Sequence, residues 1–294
     1  AFAKIGVNRA SLGVQDTNPE VQKAVNRIQP PQRNKEAVSW LRESGINNIN
    51  IDLMYGLPLQ TIKSFEKTIE DALELEPARI ALFGYAHVPW VKPAQKVLEK
   101  CGIPTSEEKA DLFILGKRSF EEAGYEFIGL DHFAKPADAL IKARKNGTLH
   151  RNFQGYSTCA GIDLFAVGLT SISETRTSYR QNFKTMEDYK KAVESGELPI
   201  ERGIVLDGED LLRRAVIMDI MCALKVDFNN YGVDFRSKFA EALAKMEDMQ
   251  KDGLVEMHEG GFSVLPIGRL FLRNIAMLFD GRLSAHKNTF SKTV

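Results

Sequence analysis

Polar residues in three similar extended segments have the side-chain types that bind charged or hydroxylated ligands. Gln15-Asp16 ends the first segment, Asp52 lies within the second, and Ala86-His87 follows the third. A carboxylate buried in an apolar strand carries a desolvation cost of several kcal/mol unless a partner compensates it. Asp52 therefore makes either a structural hydrogen bond to a neighbouring strand or a bond to a ligand hydroxyl or ammonium in the mouth of a barrel.

Two further residues each have a structural and a functional interpretation. Arg27, near the end of a predicted helix, is either a surface cation favoured by the helix dipole or an anion-binding group. His87, a lone histidine beside a strand end, is more often a hydrogen-bonded structural group than a catalyst. We assign no catalytic residue from the sequence.

A fourth polar segment, His150-Arg151-Asn152-Phe153-Gln154-Gly155-Tyr156-Ser157-Thr158, has neither a helical nor a strand period. If the segment were buried, each polar side chain would need its own partner. This composition favours a binding loop over a core segment. A well-solvated surface turn accounts for it nearly as well, and the residues alone leave both interpretations open.

The segment from 45 to 58 predicts how the polar residues are positioned. Apolar and polar residues alternate from Ile49 to Tyr55, which predicts a strand that ends at Gly56-Leu57-Pro58. Thr61 is a candidate N-cap for the helix that follows. Similar strands are predicted at 10–15 and 79–85, separated by helices, so we expect a parallel sheet of the α/β class with ligands at the carboxyl ends of its strands.

The composition excludes several classes of protein. The 294 residues include 39 basic and 39 acidic side chains, so no net charge favours nucleic acid or an anionic membrane. No apolar run reaches the length of a membrane-spanning helix. Cys101, Cys159 and Cys222 are odd in number and far apart in sequence, which argues against a disulfide framework and against a local metal motif. We therefore assign no metal ligand and expect a reducing, cytoplasmic location.

The second half of the chain predicts a different organisation. A strand is expected over Leu164–Ser173, and Asp207 is a candidate N-cap for a long amphipathic helix. Helices at 237–251 and 267–279 flank a predicted hairpin, which is the order of a winged-helix module. Because acids balance bases there, including Lys238 and Lys245, we expect a structural or lid domain rather than a DNA-binding one.

The polar segments together resemble the oxygen-independent coproporphyrinogen III oxidases, a radical S-adenosylmethionine family of haem biosynthesis. The matching segments are Asn8–Asp16, Val25–Arg27, Asn50–Pro58, Tyr85–Pro89, Gly129–Phe133, Leu149–Thr158 and Gly268–Phe279. The resemblance implies the latter part of a partial (β/α) barrel with parallel strands over residues 1–173. A mostly helical C-terminal domain with a winged-helix-like end is implied over residues 174–294.

The resemblance also implies a cofactor and its contacts. S-adenosylmethionine is expected to contact Gln15, Arg27, Asp52, Ala86 and Ile172. Family members also hold a four-iron four-sulfur (4Fe-4S) cluster on a C-x-x-x-C-x-x-C motif, which this sequence does not contain. The chain opens like the tail of a helix that ends at Gly6, and three strand-helix units are too few to close a barrel. We therefore interpret the chain as a fragment that lacks the cluster-binding part and is inactive by itself.

For the complete enzyme, the resemblance implies oxidative decarboxylation of two propionates of coproporphyrinogen III to vinyl groups. It also implies an external electron donor that reduces the cluster, which then cleaves S-adenosylmethionine. Arg151 and His150 are expected to hold substrate propionates, and Phe153 or Tyr156 to pack on the macrocycle. Neither nucleic acid nor a membrane is an expected partner. A haem-binding relative without decarboxylase activity and a non-enzymatic partner-binding module are the two alternatives.

Overall fold

A computed structural model describes residues 2–283, and its contacts divide the chain into two compact units. The first unit extends to Lys142 and the second begins at Ala143. The domain boundary predicted after residue 173 follows the family resemblance rather than contacts and stays a prediction. The predicted C-terminal domain includes residues 284–294, which lie outside the described part.

The first unit is built on a five-stranded sheet with the order β1-β2-β3-β5-β4. The strands are β1 (Arg9–Gln15), β2 (Asn48–Tyr55), β3 (Arg79–Gly84), β4 (Glu126–Gly129) and β5 (His132–Ala134). The first three strands are parallel, as predicted, whereas β5 is antiparallel to β3 and to β4. The carboxyl ends of β1, β2 and β3 therefore meet at one edge of the sheet.

Helices follow the strands of this sheet, and a side chain caps the start of several of them. They are α1 (Pro19–Ala24), α2 (Pro31–Glu43), α3 (Ile62–Leu73), α4 (Ser106–Glu122) and α5 (Ala139–Lys145), the last of which crosses into the second unit. Thr61 caps α3 as predicted, because its hydroxyl accepts the Ser64 N–H bond at 3.1 Å. Short 3₁₀ helices form at Phe2–Ile5 and Pro93–Cys101.

The two faces of β2 differ in burial. Ile49, Ile51 and Leu53 are at most 1% exposed, whereas Asn50 and Asp52 on the other face are half-buried. The predicted alternation is thus confirmed, since successive side chains of a strand point to opposite faces. The apolar face of β2 therefore packs in the hydrophobic core, and the polar face is available for hydrogen bonds to neighbouring strands or to a ligand.

The second unit contains only antiparallel pairings among its described strands. They are β6 (His150–Asn152), β7 (Gly155–Ser157), β8 (Ile172–Glu174), β9 (Ser178–Asn182), β10 (Ile200–Val205), β11 (Lys225–Asp227), β12 (Val255–His258) and β13 (Gly261–Val264). The predicted strand over Leu164–Ser173 is wrong for most of its length. Gly168 and Thr170 have positive φ values of 108° and 62°, which break the extended backbone.

Helices of the second unit are α6 (Met186–Glu194), α7 (Gly208–Ala223), α8 (Phe235–Lys238), α9 (Ala240–Lys251) and α10 (Leu272–Met277). Asp207 caps α7 as predicted, with its carboxylate accepting the Asp210 N–H bond at 2.8 Å. Helix α9, the β12–β13 hairpin and α10 follow the predicted order, and β11 adds a third strand to the hairpin. Stacked rings, such as Phe228 and Phe235 with centroids 4.4 Å apart, fill the core here.

Candidate functional site

Three of the residues predicted to bind the cofactor converge on Gly13 at the carboxyl end of β1. Gly13 is the register partner of Asp52 on β2. The Arg27 guanidinium donates a hydrogen bond from Nη2 to the Gly13 carbonyl at 2.6 Å. A Cβ atom at Gly13 would lie 2.7 Å from Gln15 Nε2 and 3.3 Å from Arg27 Nη2. The absence of a side chain at Gly13 thus leaves room for the Gln15 and Arg27 groups over the strand position that pairs with Asp52.

The Asp52 carboxylate is half-buried and accepts hydrogen bonds from two neighbours. Ser11 Oγ on β1 donates at 3.1 Å to either oxygen, and Asn50 Nδ2 donates at 2.5 Å. Burial raises the pKa of Asp52 above its ordinary value, although both hydrogen bonds act in the opposite direction. The structural interpretation of Asp52 is therefore correct in part, since a neighbouring strand does supply a partner. Its remaining lone pairs are open to a ligand donor.

Gln15 has two unusual features for a residue at the end of a strand. Its φ of 67° is in the left-handed region, and the β1–β2 register shifts between Gly13 and Gln15. Its Oε1 atom is buried and has no hydrogen-bond partner in the described structure. A buried acceptor without a donor costs about 1–3 kcal/mol, which a ligand hydroxyl or ammonium would recover.

A buried polar network holds the backbone on which Gln15 is placed. Asp16 is 2% exposed and accepts hydrogen bonds from Asn18 N–H at 2.6 Å and Gln60 Nε2 at 2.6 Å. Gln60 Nε2 also donates to the Met54 carbonyl at 2.7 Å, so one side chain joins the ends of β1 and β2. Burial raises the pKa of Asp16. No sequence motif indicates a role for Gln60. Its one local clue is its position directly before the Thr61 N-cap.

The two other residues expected to contact the cofactor make none of the contacts around Gly13. Ala86 is exposed, two residues beyond β3, and its carbonyl accepts a hydrogen bond from Gln95 Nε2 at 3.1 Å. His87 Nε2 lies 3.0 Å from Glu99 Oε1, which agrees with the structural interpretation of this histidine. Ile172 lies in the second unit, where it begins β8 and pairs with Gln181.

The segment expected to bind the substrate forms the β6–β7 hairpin, in which Arg151 pairs with Tyr156. The Arg151 guanidinium lies over the Tyr156 ring at 5.7 Å, and the Tyr156 hydroxyl donates to the Met221 carbonyl at 3.0 Å. Tyr156 is 8% exposed, whereas Phe153 is 61% exposed. Of the two aromatic residues, Phe153 is therefore the one with a ring open to a ligand.

A cavity of about 390 Å³ in the second unit is lined by Arg151, Asn152 and Phe153 together with one face of α7. Arg151 Nε is buried without a hydrogen-bond partner, and no carboxylate of the described residues pairs with the guanidinium. His150 is half-buried on the same strand and is not part of this lining. A cation of this kind favours an anionic ligand.

The two lysines named in the sequence for the helix–hairpin–helix end are each paired with an acid. Lys238 pairs with Glu209, and Lys245 pairs with Glu241 at 2.7 Å. Within the described residues, no helix combines the length and the apolar character needed to cross a membrane. Over residues 2–283, no three His, Cys, Asp or Glu side chains come together as a metal site.

Comparison with known families adds two matches. Residues 1–72 match the sequence model of the Radical SAM superfamily, and residues 206–271 match that of the HemN C-terminal domain. Strands β1 and β2 lie within the first match, and β3 follows it. Helices α7 to α9 lie within the second match. The class is therefore that of the radical SAM proteins.

Curated relatives identify the family within this class. An oxygen-independent coproporphyrinogen III oxidase of Thermostichus vulcanus is 42% identical over 297 residues, which is 99% of this chain and 91% of the relative. The relative of the same description from Synechocystis is 40% identical and is covered over 65% of its length. The solved coproporphyrinogen III oxidase of Escherichia coli matches with a TM-score of 0.92 at 40% identity, over 96% of this chain and 66% of that one.

The chain belongs to the oxygen-independent coproporphyrinogen III oxidase family, which confirms the resemblance read from its segments. It spans slightly less than two thirds of the length of the Synechocystis relative.

Proposed function

We propose that this protein catalyses the oxidative decarboxylation of two propionates of coproporphyrinogen III to vinyl groups, giving protoporphyrinogen IX. The observation that carries the proposal is the convergence of Gln15, Arg27 and Asp52 around Gly13. The names of the curated relatives and of the solved Escherichia coli enzyme support the same reaction. We also propose that β1–β3 belong to a larger (β/α) barrel and that the end of the chain is a winged-helix-like structural or lid module.

The residues around Gly13 fit S-adenosylmethionine, a cofactor that supplies hydrogen-atom abstraction when it is bound. Arg27 uses one Nη2 bond on the Gly13 carbonyl and keeps other donors for the cofactor carboxylate. Asp52 and the unpartnered Gln15 Oε1 accept hydrogen bonds from the ribose hydroxyls or the ammonium group. Ala86 would add a backbone contact, and a contact from Ile172 stays a prediction of the family resemblance.

The described residues do not fit an iron–sulfur cluster. Cys101, Cys159 and Cys222 are free, and burial raises the pKa of the Cys222 thiol to about 12, which opposes the thiolate form that a metal needs. We assign no cluster ligand to residues 2–283. The cluster, the external electron donor and a cytoplasmic location are therefore parts of the proposal for the complete enzyme.

For the substrate, we propose that Arg151 binds a propionate and that the exposed Phe153 ring packs against the macrocycle. The Tyr156 ring packs against the Arg151 guanidinium, so we do not expect it to face a ligand. His150 is the remaining candidate for a propionate contact. Because the substrate carries four carboxylates, an unpaired arginine beside a cavity matches its chemistry.

The test is turnover of coproporphyrinogen III by the full-length protein, with its cluster reconstituted and the products separated after oxidation to porphyrins. We expect protoporphyrin to accumulate, and Arg27→Gln to weaken S-adenosylmethionine binding at least about tenfold. Lys23→Gln, on the exposed side of α1, is the matched control. Haem binding without any turnover would support the haem-binding alternative and reject the proposal.

A further inference from the structure

The cavity in the second unit changes character along α7. The residues that α7 contributes are spaced at three and four positions, so they lie on one face of the helix. Asp210, Arg213 and Arg214 form its polar half towards the helix N-terminus. The other half, formed by Ile217, Met218 and Met221, is apolar.

The cations of the polar half already have partners. Arg282 makes two bonds to the Asp210 carboxylate, at 2.6 and 2.9 Å. Arg213 bonds Glu209 at 2.7 Å, and Arg214 donates to the Arg176 carbonyl at 2.5 Å. The charges of Arg282 and Arg213 are thereby balanced by carboxylates, and the Arg214 guanidinium is held on backbone carbonyls. The Glu174 and Asp280 carboxylates also line the cavity and oppose a second anion.

Arg151 is associated with the apolar half instead. It lies over the Tyr156 ring, and the Tyr156 hydroxyl bonds the Met221 carbonyl. The positive charge of Arg151 also acts on the neighbouring Cys222 thiol, in the last turn of α7. A partly buried guanidinium with no carboxylate partner among the described residues, in a cavity that Met221 also lines, is stabilised further by an anion.

We propose that this cavity binds a single pyrrole ring of the substrate through the ring's two side chains. Arg151 takes the propionate, and the apolar surface of Ile217, Met218 and Met221 takes the neighbouring methyl group. The cavity thereby selects rings that carry a propionate and a methyl over rings that carry a propionate and an acetate. This inference rests on the proposed function, because it concerns the substrate of that reaction.

Size and charge both support a single ring. A cavity of about 390 Å³ is at the lower end of the range for small-molecule sites, about 300–1,000 Å³, and takes one substituted ring rather than a macrocycle. A methyl group gains from burial against the methionine side chains. An acetate in its place would put a desolvated carboxylate against an apolar wall, in a cavity that the Glu174 and Asp280 carboxylates also line.

The test compares two fluorescent porphyrins that differ only in these groups. Coproporphyrin III has methyl groups where uroporphyrin III has acetates. Their dissociation constants are measured by fluorescence with the full-length protein, without reductant or S-adenosylmethionine. We expect uroporphyrin III to bind at least about a hundredfold more weakly. Equal affinities would overturn the inference.

Variants separate the apolar wall from the cation. Met218→Lys supplies a cation to the wall, so the preference for coproporphyrin III should fall at least tenfold, whereas Met218→Leu should keep it. Arg151→Gln should weaken coproporphyrin III binding at least tenfold at an unchanged melting temperature. An unchanged preference in Met218→Lys, with the fold intact, rejects the inference and leaves the proposed reaction standing. Failure of the unaltered protein to bind coproporphyrin III would reject the inference, whereas turnover of coproporphyrinogen III tests the proposed reaction independently.

Discussion

Adding a methyl group at Gly13 tests the ligand site without removing any polar group. The new Cβ would lie 2.7 Å from Gln15 Nε2, so the Gln15 amide must move by about 0.7 Å to reach an ordinary contact of 3.4 Å. Arg27 Nη2, at 3.3 Å, is also crowded. Both neighbours are ends of flexible side chains, and the backbone at Gly13 has no positive φ.

The fold should therefore tolerate Gly13→Ala while ligand binding suffers. Replacing glycine at a compatible position stabilises by about 0.4–1 kcal/mol, which offsets part of the local crowding. Displacing one hydrogen bond to a charged ligand group costs about 1.5–3 kcal/mol, equivalent to a loss of about tenfold to a hundredfold in affinity. We expect weaker S-adenosylmethionine binding with a melting temperature near that of the unaltered protein.

The assay is calorimetric titration of the full-length protein with S-adenosylmethionine, paired with thermal unfolding. Gly208→Ala is the matched control, because a Cβ at Gly208 meets nothing within 4 Å. An unchanged dissociation constant in Gly13→Ala would refute the argument that Gln15 and Arg27 act together at this position. A large fall in melting temperature would show instead that the crowding reaches the sheet.

Three further predictions concern the same unit and the core of the second. Burial raises the pKa of Asp52, and only its ionised form accepts a hydrogen bond from the cofactor ammonium. The affinity for S-adenosylmethionine should therefore fall as the pH is lowered through that pKa. In Asp52→Asn, the affinity should stay constant over the same pH titration. Gln60→Leu should lower the free energy of unfolding, measured in denaturant, by at least about 2 kcal/mol, because Asp16 loses a buried hydrogen-bond donor. The control Gln32→Leu, on the exposed side of α2, should change this free energy little. Phe262→Ala, at a fully buried ring, should cost about 3–5 kcal/mol by the same measurement; a cost below 1 kcal/mol would contradict the aromatic core.

Sequence reasoning succeeded where the signal is local. The alternation over Ile49–Tyr55 predicts β2, and the caps Thr61 and Asp207 predict where α3 and α7 begin. These signals depend on backbone geometry over a few residues, so they can be read without knowing the distant partners. The prediction of a strand over Leu164–Ser173 was wrong, because residues with left-handed backbone angles interrupt this apolar run.

The sequence did not predict which side chains form hydrogen bonds across distant segments. The two interpretations of Asp52 could not be separated from its own strand, because Ser11, its hydrogen-bond donor, is 41 residues away. Gln60 reaches Asp16 across 44 residues, and nothing in its local sequence indicates this bond. For the His150–Thr158 segment, only the hairpin pairing shows that Tyr156 is buried and Phe153 exposed.

The amino-acid sequence alone determined the strand and helix periods, the helix caps and the family resemblance, because each depends on the order of residues along the chain. The tertiary structure decided which side chains meet around Gly13 and that Arg151 lines a cavity without a carboxylate partner. The physical reason is that burial and pairing depend on packing between distant segments, and the energy of a buried charge depends on those neighbours.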